Sequence, residues 1–242
     1  MAFLVRTLAS TFHGGHHIEP HAHPWGQLIY AGSGVMRVRA GEVLWFVPPA
    51  RAIWAPGGLE HEIWARGDFA MRTLYLEPYL AASLDGGCRA IEVQPLLREL
   101  ILHIVSLGML AAEDPAQARL AAVLVDLLAQ ADTLPLSLPA PTDPRALRAA
   151  ERLQAFPADP MALEDVAREV GASVRTLQRL FLAETGLRFS EWRQRLRLLH
   201  AAGALSAGAS VTEAGLDAGY ASTSAFIAAF RRLFGRTPAR MA

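Results

Sequence analysis

Residues 163–186 and 211–235 are two copies of one pattern, and this repetition constrains the chain more than any other feature. In the first copy Leu163, Val166, Ala167 and Val170 recur at i, i+3, i+4 and i+7, the apolar stripe of one short helix. Gly171 ends that helix, and Ser173 offers a hydroxyl to cap a second, whose apolar positions are Val174, Leu177, Leu180 and Phe181. A shift of 48 residues carries Leu163, Val166, Ala167 and Gly171 onto Val211, Ala214, Gly215 and Gly219. A shift of 49 carries Ser173, Leu177, Phe181 and Gly186 onto Ser222, Phe226, Phe230 and Gly235. The extra residue falls in the turn, where an insertion is most readily absorbed. Ser210-Val211-Thr212-Glu213 opens the second copy as a capping box, and Gly235 followed by Pro238 closes it. Two short helices about a Gly-containing turn make a helix-turn-helix, whose second helix can enter the DNA major groove. Between the copies, residues 189–204 predict one connecting helix with Trp192, Leu196, Leu199 and His200 inward. At ~1.5 Å per residue it spans roughly 24 Å, a stiff spacer for wedges that must meet successive grooves about 34 Å apart.

On the second helix of the first copy, Arg175, Thr176, Gln178 and Arg179 point away from the apolar stripe. Arg and Gln are the side chains that read guanine and adenine edges with paired hydrogen bonds. One such unit alone is equally an amphipathic pair with a solvated face; the second copy decides between the two. The charge distribution agrees. The chain holds 23 basic residues, all Arg, against 23 acidic ones, for a net charge of zero. Split at Pro144, residues 1–144 carry 9 Arg against 14 acidic residues, and residues 145–242 carry 14 Arg against 9. The basic half is the half with the repeat, as phosphate binding requires.

Residues 163–181, Glu184-Thr185-Gly186, residues 219–226 and residues 230–238 resemble the AraC/XylS transcriptional regulators, over roughly 146–240. The resemblance implies double-stranded operator DNA as partner, with base or groove contacts from Arg175, Gln178 and Arg179 in the first unit. In the second it implies contacts from Thr223 and Ser224, next to the capping Ser222. It also implies a homodimer, an effector-sensing N-terminal domain and RNA polymerase as a further partner. Gly215 stands where the family usually has Ala, at a helix-propensity cost of about 1 kcal/mol. Ile227 and Ala228 stand where many members carry polar or basic residues, so the second unit is expected to contact the backbone or read sequence loosely.

Residues 1 to about 80 are β-rich. Short apolar or alternating runs at 27–30, 35–39, 42–47 and 70–76 are punctuated by Gly and Pro, as in a sandwich or small barrel. Within them lie His21-Ala22-His23-Pro24-Trp25-Gly26-Gln27 and Pro56-Gly57-Gly58-Leu59-Glu60-His61. Two His at i, i+2 on a strand face one way, and a third from another strand completes a metal-binding set. Both stretches resemble the cupin motifs, with Gln27 where Glu is usual; the implied ligands are His21, His23, Gln27 and His61. Three imidazoles and an amide suit one divalent transition metal: Zn, Ni, Fe or Mn. Hydrogen-bonded barrel histidines holding no metal are the plain alternative. His13, His16 and His17 lack ligand spacing and read as a polar arm. Trp25, Tyr30, Trp45 and Trp54 are candidates for a small-molecule effector pocket.

Residues 92–132 turn helical: Leu96, Leu97, Leu100, Ile101, Ile104 and Leu107 form one stripe, and Leu120, Val123, Leu124, Leu127 and Leu128 another. These faces serve dimerisation or packing on the barrel. The Pro-rich stretch 134–144 reads as an extended linker. The expected architecture is α+β: a cupin-like barrel (double-stranded β-helix) at 1–85, a helical segment at 86–133, the linker, and an all-α double helix-turn-helix at 145–242. No apolar run reaches the ~20 residues of a membrane span, no signal-peptide pattern is present, and the lone Cys88 suits a reducing cytoplasm. A metal-dependent cupin oxygenase with a helical tail is the competing function, but it leaves the duplicated helix-turn-helix without a role.

Overall fold

The computed structural model describes residues 3–65, 67–84 and 86–240. It divides into two compact units, Met1–Gly41 with Trp45–Leu136 and Glu42–Leu44 with Ser137–Ala242. The first contains strands β1 (Phe3–Phe12), β2 (His16–His21), β3 (Gly26–Ser33), β4 (Met36–Ala40), β5 (Val43–Val47), β6 (Arg51–Ala55), β7 (His61–Ala65) and β8 (Phe69–Leu76). A helical turn α1 (Pro78–Ala81), β9 (Arg89–Glu92), α2 (Pro95–Leu107), β10 (Met109–Ala111), α3 (Pro115–Gln130) and β11 (Thr133–Leu134) follow. One sheet runs in the order β10-β1-β8-β3-β6-β9-β11, and a second contains β5-β4-β7-β2. Gly14 and Gly15, at φ 74° and 89°, turn the chain from β1 in one sheet to β2 in the other.

Strand parity sets what each face does. On β3, Gln27 faces His61 of the other sheet, so Leu28 and Tyr30 face the opposite way. There they join Ala52, Trp54, Leu74 and Leu76 in a core covered by Leu97, Leu100, Ile101 and Ile104 of α2 and Leu124 and Leu128 of α3. Gly26 is required at this layer, because a Cβ there would lie 2.4 Å from the Trp54 indole. The α2 stripe is narrower than its periodicity predicts: Leu96 and Leu107 are 65% and 46% exposed. His16 and His17 are not a loose arm. They sit in β2, opposite Ala65 and Trp64 of β7, where backbone pairing holds polar residues that periodicity alone does not mark as strand.

The second unit comprises β12 (Ser137–Pro139), α4 (Pro144–Ala155), α5 (Leu163–Glu169), α6 (Val174–Thr185), α7 (Phe189–Ser206), α8 (Val211–Asp217), α9 (Thr223–Phe234) and a 3-10 turn at Pro238–Arg240. The 134–144 stretch is extended but well anchored. Leu136 and Leu138 are fully buried, Ala140 N–H donates to Glu42 O at 2.8 Å, and Trp192 Nε1–H donates to Pro139 O at 2.7 Å.

The repeat is reproduced down to its punctuation. Gly171 and Gly219 turn at φ 71° and 77°, and Gly186 and Gly235 both cap their helices at φ 70°. The Glu184-Thr185-Gly186 motif is a clasp: Glu184 accepts from Thr142 and Asp143 N–H at 2.7 and 3.0 Å. Thr185 Oγ1–H donates to Phe181 O at 2.6 Å. Phe181 packs edge-on against Phe189 and Trp192, and a second aromatic row runs Phe226, Phe230 and Phe234. On α7, Trp192, Leu196 and Leu199 are buried as expected, but His200 is exposed. The buried arc turns away from it through Leu198, Ala201, Ala202 and Leu205.

Candidate functional site

Each helix-turn-helix is fixed by local chemistry. Ser173 Oγ accepts from Thr176 N–H at 3.1 Å to start α6, and lies 2.8 Å from Thr176 Oγ1. Ser222 Oγ accepts from Ala225 N–H at 3.2 Å to start α9. Capping therefore engages Ser173, Thr176 and Ser222 at the mouths of the two helices. Burial of Leu177, Leu180 and Phe181 turns Arg175, Gln178 and Arg179 outward, and all three are exposed. On α9, Ser224 is exposed and Thr223 half-buried.

A cleft of about 1250 Å³ runs beside α6 and the start of α7, walled by Gln178, Arg179, Arg188, Arg193, Arg197 and Tyr220. Two of its arginines serve the fold. Arg193 donates to Met161 O at 2.7 Å and to Asp159 O; Arg197 donates to Pro157 O and Asp159 O at 3.0 Å each. Burial lowers the Arg193 pKa, and the exposed cations of this surface are Arg179 on α6 and Arg188 at the start of α7.

In the first unit, His21, His23 and His61 bring ring nitrogens within 4.8 Å of one another. The sequence motif achieves this through its glycines. Gly57 lies where a Cβ would come 2.2 Å from Pro24 O, and Gly58, at φ 81°, donates its N–H to His23 O at 2.8 Å. The loop thus lies flat on residues 23–25 and delivers His61, which also pairs with His21 across β2 and β7. His21 Nδ1 is 2.8 Å from Glu19 O, His23 Nδ1 2.9 Å from Trp25 O and His61 Nδ1 2.9 Å from Leu59 O. A carbonyl oxygen only accepts, so each neutral ring carries its proton on Nδ1 and keeps a lone pair on Nε2. Burial holds the His61 pKa below the usual histidine value, with His21 and His23 adding to the effect, so its lone pair stays available.

Gln27 completes the group. Its Oε1 lies 3.0 Å from His23 Nε2 and 2.7 Å from His61 Nε2, while its Nε2–H donates to Thr73 Oγ1 at 2.9 Å. Thr73 Oγ1–H donates to Leu28 O at 3.0 Å. With neutral rings, three acceptors converge. A cation at their centre satisfies all of them. Turning the amide over also satisfies them, giving both imidazoles an N–H and taking the Thr73 proton onto Oε1. The donor set therefore fits a divalent transition metal, with backbone carbonyls orienting every imidazole from behind. Thr73 and Tyr75, whose ring is 5.2 Å edge-on from His23, were not singled out by the motifs. The 71-73-75 alternation of β8, opposite Gln27, is the signal that finds them. Cys88 contributes no thiolate, since burial pushes its pKa up to about 12.

The four aromatic residues expected to line an effector pocket are not gathered in one place. Tyr30 and Trp54 belong to the core beneath α2 and α3, on the face opposite Gln27. Trp25 stacks under Arg6 at 4.7 Å, and Trp45 lies on the other sheet.

The AraC-like ligand binding domain profile matches residues 7–134, and a helix-turn-helix domain profile matches residues 166–242. The HTH-type transcriptional regulator NimR of Escherichia coli K12 is 36% identical over 91% of this chain and 80% of its own length. The chain belongs to the AraC family of transcriptional regulators. The HTH-type transcriptional regulator RipA of Corynebacterium glutamicum is 33% identical over 87% of this chain, which spans 60% of RipA's length. An AraC-type DNA-binding domain protein of Chromobacterium violaceum, with a solved structure, is 31% identical over 40% of this chain and 88% of its own, at a TM-score of 0.39. As an AraC-family member the chain is a DNA-binding regulator with a ligand-binding domain, not an enzyme. No helix among the described residues is long and apolar enough to cross a membrane.

Proposed function

We propose that this AraC-family chain is a cytoplasmic one-component regulator. In this reading its histidine cluster receives the signal and its α6 face reads the operator. The observation that carries the sensing half is the shared tautomer: each Nδ1 is set on a backbone carbonyl, the three rings bring nitrogens within 4.8 Å, and Gln27 Oε1 lies beside His23 and His61 Nε2. His21, His23, His61 and Gln27 would hold one Zn, Ni, Fe or Mn ion. That ion is either the signal itself or the seat of a small-molecule effector, since a metal with four neutral protein ligands keeps its full charge to attract one. Arg175, Thr176, Gln178 and Arg179 are the proposed base-reading set, with Ser173 and Ser222 at the helix starts and Thr223 and Ser224 as second-unit contacts. The exposed Leu96, Leu107, Met109 and Val123 on α2, β10 and α3 support a homodimer. Signal and operator are coupled to the extent that the ligand prefers one arrangement of the dimer.

The test combines calorimetric titration of the chelator-treated chain with Zn²⁺ or Ni²⁺ and a mobility-shift titration on its operator. The wild type takes up one ion per chain, and operator affinity changes on loading. His23→Ala abolishes uptake. Arg175→Ala and Arg179→Ala each weaken operator binding by about 1–3 kcal/mol while uptake is unchanged. Failure to bind either ion would remove the metal and leave an organic effector; unchanged operator affinity in both Arg variants would remove the α6 reading.

A further inference from the structure

The two second helices are superposable in design and opposite in chemistry. Both α6 and α9 have 12 residues, a Ser N-cap and a left-handed Gly C-cap. The shift of 49 residues maps buried Leu177, Leu180 and Phe181 onto buried Phe226, Ala229 and Phe230. The same shift maps the outward set Arg175, Thr176, Gln178 and Arg179 onto Ser224, Ala225, Ile227 and Ala228. Ser224, Ala225 and Ala228 are exposed and Ile227 half-buried. Where α6 presents guanidinium and amide forks, α9 presents one hydroxyl and three alkyl groups. The charge has moved along the helix: Leu182 and Ala183 near the end of α6 become Arg231 and Arg232, both exposed in the last turn of α9.

We propose that α9 reads thymine through the C5 methyl group, using Ala225, Ile227 and Ala228, while Arg231 and Arg232 hold the flanking phosphates. This rests on the reading that both second helices enter major grooves. An alkyl face cannot make paired hydrogen bonds, and pressed against guanine or adenine it leaves the N7, O6 or N6 groups dry and unpartnered. The thymine methyl is the one apolar feature the major groove offers. The operator is then chemically two-sided: a half-site for α6 specified by purine hydrogen bonds, and a thymine-rich half-site for α9 specified by shape and methyl burial.

Replacing thymine by deoxyuridine removes that methyl and leaves every hydrogen-bonding edge in place. Duplexes selected from a random library by the full-length chain are resynthesised with deoxyuridine in one half-site at a time. Substitution in the α9 half-site weakens binding about fourfold per contacted thymine, the burial of one carbon. Substitution in the α6 half-site changes nothing. Ile227→Ala, folded by circular dichroism, binds the thymine duplex more weakly and loses most of its sensitivity to deoxyuridine, which separates methyl contact from any change in duplex stiffness. Deoxyuridine-insensitive binding by the wild type overturns the proposal. If Arg231→Ala still weakens binding in that case, α9 rests on the backbone alone; if it does not, the α9 face serves another partner. Arg179→Ala, run alongside, reports on α6 independently.

Discussion

Three imidazoles sharing one protonation pattern is a residue-scale arrangement with a specific consequence: Gln27 decides what the cluster accepts. A carboxylate here would neutralise part of a cation's charge, whereas the amide offers an oxygen or, turned over, two N–H groups. The cluster can therefore rest without a cation at the cost of one Thr73 hydrogen-bond exchange. A second residue-scale arrangement sets the acid behaviour of α4. The Arg145 guanidinium and N–H together hold the Asp143 carboxyl down to about 2 from its ordinary 3.8. A carboxylate with a depressed pKa stabilises the fold above its unfolded value and stops doing so as pH falls through its folded one. The stability gap between wild type and Asp143→Ala, followed by thermal denaturation, should therefore be constant above pH 3.8 and close as pH falls toward about 2. A gap that closes near neutrality would place the stabilisation elsewhere. At this scale spacing alone brought His21, His23, His61 and Gln27 together, because spacing reports on facing. It concealed the fate of Tyr30 and Trp54. An aromatic residue looks alike on either face of a strand, and only the direction of Gln27 puts Tyr30, three residues on, on the opposite face, in the core beneath α2 and α3.

At the scale of elements, the departure at Gly215 has a physical partner. In the first copy the corresponding pair is Ala167 with Leu177; in the second it is Gly215 with Phe226. A Cβ at Gly215 would lie 3.0, 3.1 and 3.3 Å from Phe226 Cδ1, Cγ and Cβ. The larger ring on α9 takes the volume that Ala would occupy on α8. Gly215→Ala gains about 1 kcal/mol of helix propensity but overpacks the contact at a cost of about 1–3 kcal/mol, so alone it should lower the melting temperature. Gly215→Ala with Phe226→Leu, which restores the first copy's pairing, should show a favourable coupling of about 1 kcal/mol in a double-mutant cycle. Additive single effects would sink the exchange. Helices of the repeat were legible because an apolar stripe at i, i+3, i+4 and i+7 that stops at a Gly fits a helix and not a strand. Strands β1 and β2 were not: Val5 is the one buried residue in β1, and none of β2 is buried. Their place comes from backbone pairing with β8 and β7, on which side-chain patterning is silent.

Taken whole, the chain separates an acidic half carrying the sensing sheets from a basic half carrying the helix-turn-helix pair. The composition shift at 134–144 marked that division, but hydrophobic spacing did not reveal how firmly the stretch is held. Trp192 is the sole tryptophan of 137–242, and its indole proton goes to the carbonyl of Pro139. That bond dictates where the DNA-binding half can be cut free. A fragment begun at Arg145 would lose that bond and open the indole to water, at about 0.5–1.5 kcal/mol, and would discard the buried Leu138. A fragment begun at Ser137 retains both. Intrinsic fluorescence of that single emitter makes the difference directly visible: the shorter piece should melt earlier and emit further to the red, and equal melting of the two would show β12 to be dispensable.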